Sequence, residues 1–286
     1  MIPDQSQILE IIDFALKEDI GDGDHTSLAT VPENAKGKAR LLVKADGVLA
    51  GVELAKIIFH RVDPNLKVEV LIPDSSHVKY GDIAFYVEGS SRSILSAERL
   101  MLNFMQRMSG IATKTHQLAK IIEDLPTQLL DTRKTTPCVR LMEKWAVRIG
   151  GGNNHRFALY DMVMIKDNHV DYAGGIENAI LRTKEYLKAK GKDLKIEIET
   201  RNLDEVKQVL AVGQVDRIML DNFTPDQIRE ALQIIGRDQY ETEASGGIYE
   251  ETIRAYAETG VDFISSGSMT HSYQSLDLSL KAEFEV

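Results

Sequence analysis

The sequence of 286 residues contains a single cysteine, Cys138, so no disulfide can form within the chain. Such scarcity is typical of a reducing compartment, and we expect a cytoplasmic protein. No apolar run approaches the ~20 residues of a membrane-spanning helix. The opening MIPDQSQ lacks the basic start and apolar core of a secretory signal, so neither a membrane nor secretion is expected.

An excess of basic residues is also absent, since 34 Lys and Arg stand against 44 Asp and Glu and the net charge is −10. A nucleic-acid-binding domain carries a basic face, so nucleic acid is not an expected partner. Residues 131–169 differ from the rest, because seven of their side chains are Lys or Arg and only four are Asp or Glu. A cationic segment in an acidic protein predicts a concave site for a small anion, since a cleft of one sign attracts ligands of the other.

The centre of this cationic segment combines backbone freedom with anion-binding side chains. Residues 150–152 are all glycine, which permits positive φ angles and close approach to a ligand. His155 and Arg156 follow, and an Arg guanidinium can bind a carboxylate or phosphate through two hydrogen bonds. Any one cation could belong to a solvated loop. Taken together with Arg133, Lys134 and Lys166, however, these residues indicate an anion-binding site.

The first part of the chain predicts an α/β sandwich domain over residues 1–113. Apolar spacing indicates a helix over 4–18, and alternation indicates strands near 39–45, 68–72 and 83–87 with a short helix at 51–61 between them. A long helix is expected from about residue 91 to 108, with a break at Ser109-Gly110 and a second helix to 124. Residues 276–286 alternate strictly, so we expect 273–286 to return to this domain as a strand.

The remainder, residues 114–272, predicts a (β/α) barrel-like domain, open or incomplete, because strand and helix patterns alternate. Lys166, Glu199 and Asp221 come at the ends of three of its strands, where barrel enzymes place their chemistry. Glu199 and Asp221 could bind Mg²⁺ or ribose hydroxyls. The turns 245–247 and 265–267 are serine- and glycine-rich and predict a phosphate site, although two plain turns are the alternative.

Several strings resemble those of the quinolinate phosphoribosyltransferase family (nicotinate-nucleotide pyrophosphorylase, carboxylating). The strings lie in the family's order along nearly the whole chain: EDIGDGDHT at 18–26, ERLMLNFMQRMSGIAT at 98–113, DTRKTTP at 131–137, GGGNNHR at 150–156, IKDNH at 165–169, LDNF at 220–223 and EASGGI at 243–248. Long motifs in a fixed order are far more specific than a lone glycine pattern.

The resemblance implies transfer of phosphoribose from phosphoribosyl pyrophosphate to quinolinate with loss of CO2, in de novo NAD biosynthesis. It implies a homodimer with a shared site. Arg133, His155 and Arg156 would bind quinolinate with Arg99 from the partner, and Lys134 and Lys166 would lie between the substrates. Glu199 and Asp221 would hold ribose hydroxyls and Mg²⁺. The resemblance places the 5′-phosphate on these residues: Ser245, Gly246, Gly247, Ser266 and Gly267.

Three alternatives remain open at this stage. A paralogous family linked to molybdenum transport shares the scaffold, but it lacks the intact IKDNH string that this chain has. Lys166 could form a Schiff base, although the neighbouring cations suit anion binding better. A binding protein without catalysis could also keep such a pocket. The chain departs from the family at Cys138 and Ala158, where glycine is usual, and at Trp145, where tyrosine is common.

Overall fold

The computed structural model describes residues 3–236 and 239–283, and the chain forms two compact units. The first unit comprises the described residues of 1–116, 135–151 and 269–286, and the second comprises those of 117–134 and 152–268. Within the described residues, no helix has both the length and the apolar character needed to cross a membrane.

The first unit is built on an antiparallel sheet of the order β12-β1-β5-β3. Its elements are α1 (Gln5–Ile20), α2 (His25–Thr30), β1 (Lys36–Val43), β2 (Gly47–Val48), α3 (Val52–Val62), β3 (Lys67–Val70), β4 (His77–Val78), β5 (Ile83–Ser90), α4 (Ser91–Ile121), α5 (Arg140–Ile149), α11 (Ser268–His271) and β12 (Leu278–Glu283). Alternate residues Ala39, Leu41 and Val43 of β1 are buried. Strand β12 pairs with β1, as the alternation of the tail predicts. Residues 284–286 of that predicted strand lie outside the described residues.

Helix α4 is continuous through Ser109 and Gly110, so the predicted break there is wrong. The Ser109 hydroxyl donates to the carbonyl of Ala50 at 3.0 Å and accepts the N–H of Ala50 at 2.9 Å. A Cβ added at Gly110 would lie 2.9 Å from the Tyr273 ring and 3.0 Å from the carbonyl carbon of Gln274. Glycine at this position therefore permits close packing, at a helix-propensity cost of about 1 kcal/mol.

Residues 135–151, which include α5, belong to the first unit, although the sequence places them in the barrel domain. Glu143 is fully buried and pairs with Arg107 of α4 at 2.6 Å. The hydroxyl of Ser75 donates to the carbonyl of Ile149 at 2.7 Å. These side-chain bonds join α5 to earlier parts of the first unit, which no local pattern in the sequence reveals.

The second unit contains a six-stranded parallel sheet of the order β6-β11-β10-β9-β8-β7. Its elements are β6 (Gln128–Leu130), β7 (Val163–Ile165), α6 (Asp167–Ala173), α7 (Ile176–Lys190), β8 (Ile196–Thr200), α8 (Leu203–Val212), β9 (Arg217–Asp221), α9 (Pro225–Ile235), β10 (Glu241–Ser245), α10 (Ile253–Ala257) and β11 (Phe263–Ser265). In the described residues β6 and β7 are the two edges of this sheet, which confirms the predicted open barrel.

The helices of the second unit begin where the sequence carries start signals. Thr224 caps α9 and forms a capping box with Gln227, and Pro225 occupies the first turn, where its missing N–H costs nothing. Asn202 caps α8 by accepting the N–H of Glu205 at 2.9 Å. These caps fix each helix directly after a strand end, so the loops at the strand ends are short and well defined.

Candidate active site

Acidic, basic and hydroxyl side chains collect at the carboxyl ends of the parallel strands in the second unit. Lys166 follows β7 directly, Glu199 is the penultimate residue of β8, and Asp221 and Ser245 end β9 and β10. The register places Ser245 opposite Asp221. Because parallel strands end at the same edge of a sheet, these side chains share one edge. Barrel enzymes carry their active sites at this edge.

Lys166, Glu199 and Asp221 form one electrostatic group, which we call the strand-end cluster. The Nζ of Lys166 lies 3.3 Å from Oε2 of Glu199. Burial raises the pKa of Glu199 and of Asp221, and the charge of Lys166 opposes this rise at both carboxyls. The Ser245 hydroxyl donates to Asp221 and also lowers the pKa of that carboxyl. The lysine therefore stabilises two carboxylates that would otherwise repel each other.

The two carboxyls of the strand-end cluster fit what Mg²⁺ requires. Mg²⁺ takes oxygen ligands and is commonly held by one or two carboxylates, with substrate phosphates and water completing its shell. The charge of Asp221 raises the pKa of Glu199, so a cation between these carboxyls would relieve a repulsion that is present in the protein alone. The predicted metal residues are thus chemically suited to the ion.

The turn after β10 is shaped for a ligand that approaches the backbone. Gly246 has φ +91°, and an added Cβ would lie 2.9 Å from the backbone nitrogen of Asn222. That nitrogen donates to the carbonyl of Ser245 at 2.8 Å and holds the turn against β9. Gly247 has φ +62° and no atom within 4 Å of an added Cβ. The turn therefore exposes backbone at the strand edge, which suits phosphate binding.

The second predicted phosphate turn lies after β11. The N–H of Ser266 donates to the carbonyl of Leu130 at 3.0 Å, which ties the turn to the end of β6. The Ser266 and Ser268 hydroxyls are 2.8 Å apart. Gly267 lies between these two serines, at the same strand edge as the first turn.

Asp131, which the sequence did not single out as a site residue, organises the segment that carries His155 and Arg156. Its carboxylate is fully buried and accepts the N–H of His155 at 2.8 Å and the side-chain amide of Asn154 at 2.6 Å. Leu130 and Asn153 form a parallel bridge. Residues 153–155 are therefore attached to the end of β6, which fixes the backbone position of Arg156.

Arg133 lies close enough to Arg156 for its positive charge to lower the pKa of Arg156. Burial lowers the pKa of Arg156, and the positive charge of Arg133 lowers it further. One guanidinium nitrogen of Arg156 donates to the carbonyl of Met162 at 3.2 Å, which orients the side chain. Asp161 accepts the N–H groups of residues 157 and 158 at 2.6 and 2.7 Å and shapes the following loop. Two adjacent guanidinium groups favour the binding of an anion between them.

The ring of His155 is buried, and it faces two carboxylates in the interior of the sheet. Its Nε2 lies 2.9 Å from Oε2 of Glu197 and 3.3 Å from Oε2 of Glu243, and both glutamates are fully buried. Burial would lower the pKa of His155, but the hydrogen bonds and charges of the glutamates raise it to about 9. Burial raises the pKa of Glu197, with the charge of Glu243 adding to the effect. The group therefore favours uptake of a proton.

His155, Glu197 and Glu243 also form a donor set of the kind that binds transition metals, with ligand atoms within 4.8 Å of one another. However, 2.9 Å between Nε2 and the Glu197 oxygen is an ordinary hydrogen-bond distance. Arg217 lies 2.8 Å from Glu243 and already neutralises it. The contacts that hold this group together are ion pairs of His155 with both glutamates and of Arg217 with Glu243.

The other predicted site residues occupy different settings. Lys134 is exposed in the second unit, and its N–H donates to the Thr132 hydroxyl at 3.0 Å. Arg99 is exposed on α4 in the first unit. The roles predicted for both in substrate binding stay predictions.

Sequence reasoning missed Asp131, Glu197 and Glu243. The signal of Glu197 and Glu243 was an acidic residue at alternate positions of β8 and β10, a pattern easily mistaken for a solvated face, whereas Asp131 directly follows β6.

Comparison with known proteins covers both units. The family model described as "Quinolinate phosphoribosyl transferase, N-terminal domain" matches residues 24–109. The model of the C-terminal domain of the same family matches residues 111–281. A relative from Arabidopsis thaliana, named nicotinate-nucleotide pyrophosphorylase [carboxylating], chloroplastic, is 47% identical over 96% of this chain and 83% of its own length. The probable nicotinate-nucleotide pyrophosphorylase [carboxylating] of Bacillus subtilis is 39% identical over 96% and 93% of the two chains.

A solved structure of similar fold is the nicotinate-nucleotide pyrophosphorylase from Francisella tularensis, with a TM-score of 0.90 and 39% identity over 98% of this chain and 97% of that chain. Charged groups at the carboxyl ends of a parallel open barrel are the arrangement found in barrel enzymes. Within that class, the chain belongs to the quinolinate phosphoribosyltransferase family.

Proposed function

We propose that the protein transfers phosphoribose from phosphoribosyl pyrophosphate to quinolinate and decarboxylates the product. The ring nitrogen of quinolinate forms a bond to C1′ of the ribose, and the bond from C1′ to pyrophosphate breaks. The 2-carboxylate then leaves as CO2 and a proton replaces it, giving nicotinate mononucleotide. The strand-end cluster of Lys166, Glu199 and Asp221 carries this proposal, in a chain that matches both family domains.

Arg133, His155 and Arg156 would bind the two carboxylates of quinolinate, because adjacent cationic groups match a dianion. Lys134 would add positive charge between the two substrates. The turns 245–247 and 266–267 would hold the 5′-phosphate through backbone N–H groups and serine hydroxyls. This arrangement brings the ring nitrogen and C1′ together and removes much of the entropic barrier to the bimolecular step.

Glu199 and Asp221 would hold the ribose hydroxyls and Mg²⁺. When bound, Mg²⁺ supplies positive charge to the pyrophosphate that leaves. The charge of Lys166 favours the ionised form of both carboxyls, and it would lie where negative charge develops. Loss of CO2 follows once the nitrogen is alkylated, because the pyridinium ring can accept the electrons of the broken carbon–carbon bond.

The site is proposed to be shared between two copies of the chain, with Arg99 of one copy reaching the quinolinate of the other. A two-fold dimer is the commonest arrangement for such sharing. Arg99 is exposed on α4 and therefore accessible to a second copy. The expected cytoplasmic location stays a prediction, and the Arabidopsis relative is named as chloroplastic.

The direct test supplies Mg²⁺, phosphoribosyl pyrophosphate and either quinolinate or nicotinate to the purified protein. We expect nucleotide and CO2 from quinolinate alone. Comparable product from nicotinate, or no product from either acid, would contradict the proposal.

A second experiment tests the role of the strand-end cluster. Lys166→Met should lower kcat by about 10²–10³-fold, the usual cost of removing one preorganised charge. Lys207→Met is the matched control, since Lys207 pairs with Asp204 at 3.2 Å on the exposed face of α8. The control should keep full activity. Equal activity of both variants would exclude Lys166 from the reaction.

A further inference from the structure

Asn222 directly follows β9, next to the strand-end cluster, and its backbone conformation is uncommon for a residue with a side chain. Its φ is +59°, in the left-handed region where glycine is the least strained residue. Asparagine tolerates this region better than most residues, but glycine would occupy it without strain. A strained residue beside a functional site therefore indicates that its side chain does something that glycine could not do.

The side chain of Asn222 contacts both parts of the site that meet at the ends of β9 and β10. Its Nδ2 donates to Oδ2 of Asp221 at 2.6 Å. On its other side, the Cγ of Asn222 would lie 2.7 Å from a Cβ added at Gly246, so the amide group packs closely against that glycine. The amide therefore lies between the Asp221 carboxylate and the turn 245–247.

The backbone of Asn222 holds the same two parts together. Its N–H donates to the carbonyl of Ser245 at 2.8 Å, just beyond the last paired residues of the two strands, Asp221 and Ser245. The Ser245 hydroxyl in turn donates to the Asp221 carboxylate. Three hydrogen bonds thus connect one carboxylate with one turn, and Asn222 supplies two of them.

In the proposed function these two parts bind opposite ends of the same group of the substrate. Asp221 takes the ribose hydroxyls and Mg²⁺, and the turn 245–247 takes the 5′-phosphate. A ligand that contacts both parts binds more tightly when their separation is fixed beforehand, because less conformational freedom is then lost on binding. A link between the carboxylate and the turn therefore favours a ribose phosphate.

We propose that Asn222 is a positioning residue that fixes the Asp221 carboxylate relative to the turn 245–247, so that both are preorganised for one ribose phosphate. This inference rests on the proposed function, because Asp221 and the turn are there ligands of phosphoribosyl pyrophosphate. It explains why this strand end carries asparagine although glycine would relieve the backbone. Binding of phosphoribosyl pyrophosphate, but not of quinolinate, then depends on the Asn222 amide.

Two substitutions separate the side chain of Asn222 from its backbone. Asn222→Gly removes the amide and relieves the strain at positive φ, whereas Asn222→Ala removes the amide and keeps the strain. We expect the KM for phosphoribosyl pyrophosphate to rise about tenfold in both variants, the value of roughly one hydrogen bond to a charged group. The KM for quinolinate should change by less than about twofold. The melting temperature should be lower in Asn222→Ala than in Asn222→Gly.

Gln214→Gly is the matched control, because Gln214 also has a left-handed backbone, with φ +63°, and precedes β9 at its opposite end. This variant relieves the same kind of strain and should leave both KM values unchanged. A KM for phosphoribosyl pyrophosphate that rose only in Asn222→Ala, or that rose equally in Gln214→Gly, would refute the positioning role. If Asn222→Ala does not fold, the comparison of Asn222→Gly with wild type and Gln214→Gly still decides.

Binding without turnover distinguishes failure of this inference from failure of the proposed function. Phosphoribosyl pyrophosphate with Mg²⁺ should raise the melting temperature of the wild type, and Asn222→Gly should need about tenfold more of it for the same rise. The same concentration dependence in both proteins would overturn the inference, whatever the wild type turns over. The expected difference in a wild type without turnover would support the inference and refute only the proposed reaction. No rise in the wild type would overturn both.

Discussion

Replacing Gly246 with alanine should damage the turn after β10 more than the same replacement at Gly247. Both glycines have positive φ, which costs an L-residue roughly 1–2 kcal/mol. At Gly246 the new Cβ would also lie 2.9 Å from the backbone nitrogen of Asn222, and a backbone atom cannot move aside cheaply. Overpacking of this kind adds about 1–3 kcal/mol. At Gly247 the added Cβ meets open space.

The expected loss in the free energy of unfolding is therefore about 2–5 kcal/mol for Gly246→Ala and about 1–2 kcal/mol for Gly247→Ala. Urea unfolding of both variants measures the difference. Because the clash pushes the Asn222 nitrogen away from the carbonyl of Ser245, Gly246→Ala should also raise the KM for phosphoribosyl pyrophosphate and leave that for quinolinate nearly unchanged. Equal losses in the two variants, with equal KM values, would refute the geometry assigned to this turn.

Three further predictions concern the dimer, the pH dependence of stability and α4. Arg99→Ala and Arg156→Ala should each be inactive, and mixing them should restore up to about one quarter of wild-type activity, because half of the dimers are hybrid and each hybrid has one intact site. Burial raises the pKa of Asp74, so the wild-type free energy of unfolding should fall as pH rises from 3.8 through that raised pKa. Asp74→Asn should remove this slope. Gly110→Ala should destabilise the protein by about 1–3 kcal/mol, although alanine is the better helix former.

Each of these has a decisive readout. Confirmed hybrid dimers without recovered activity would exclude a shared site. Thermal unfolding of Asp74→Asn and wild type between about pH 3.5 and 6 should diverge in favour of the variant, and parallel curves would contradict the assigned shift. Asparagine keeps the oxygen that accepts the Val52 N–H at 2.8 Å, so the cap of α3 is retained. A stabilised Gly110→Ala would show that nothing packs against that face of α4.

The strand ends of the second unit could be predicted from the sequence, because each is marked by a short apolar run that ends at a charged residue. An apolar run followed by Lys166, Glu199 or Asp221 places each side chain at the carboxyl end of a parallel strand. The parallel register then brings residues that are distant in sequence to one edge. Strand-end chemistry could be predicted without knowing any contact, since the fold class alone dictates it.

Two features depended on contacts between distant parts of the chain, so the sequence could not reveal them. Gly110 was expected to end a helix, yet it permits the close approach of Gln274 to a continuous α4. Alternating Glu241 and Glu243 carry the pattern of a solvated strand face. Only the pairing of strands shows that Arg217 lies beside them and that Glu243 is buried.

In the proposed reaction one site joins ribose transfer to the loss of one particular carboxylate. Quinolinate labelled with carbon-13 only in its 2-carboxylate tests this claim, with CO2 and pyrophosphate followed together. We expect one labelled CO2 for each pyrophosphate, with an unlabelled nucleotide product. Pyrophosphate release with the label retained in the nucleotide, or no release of either product, would contradict it.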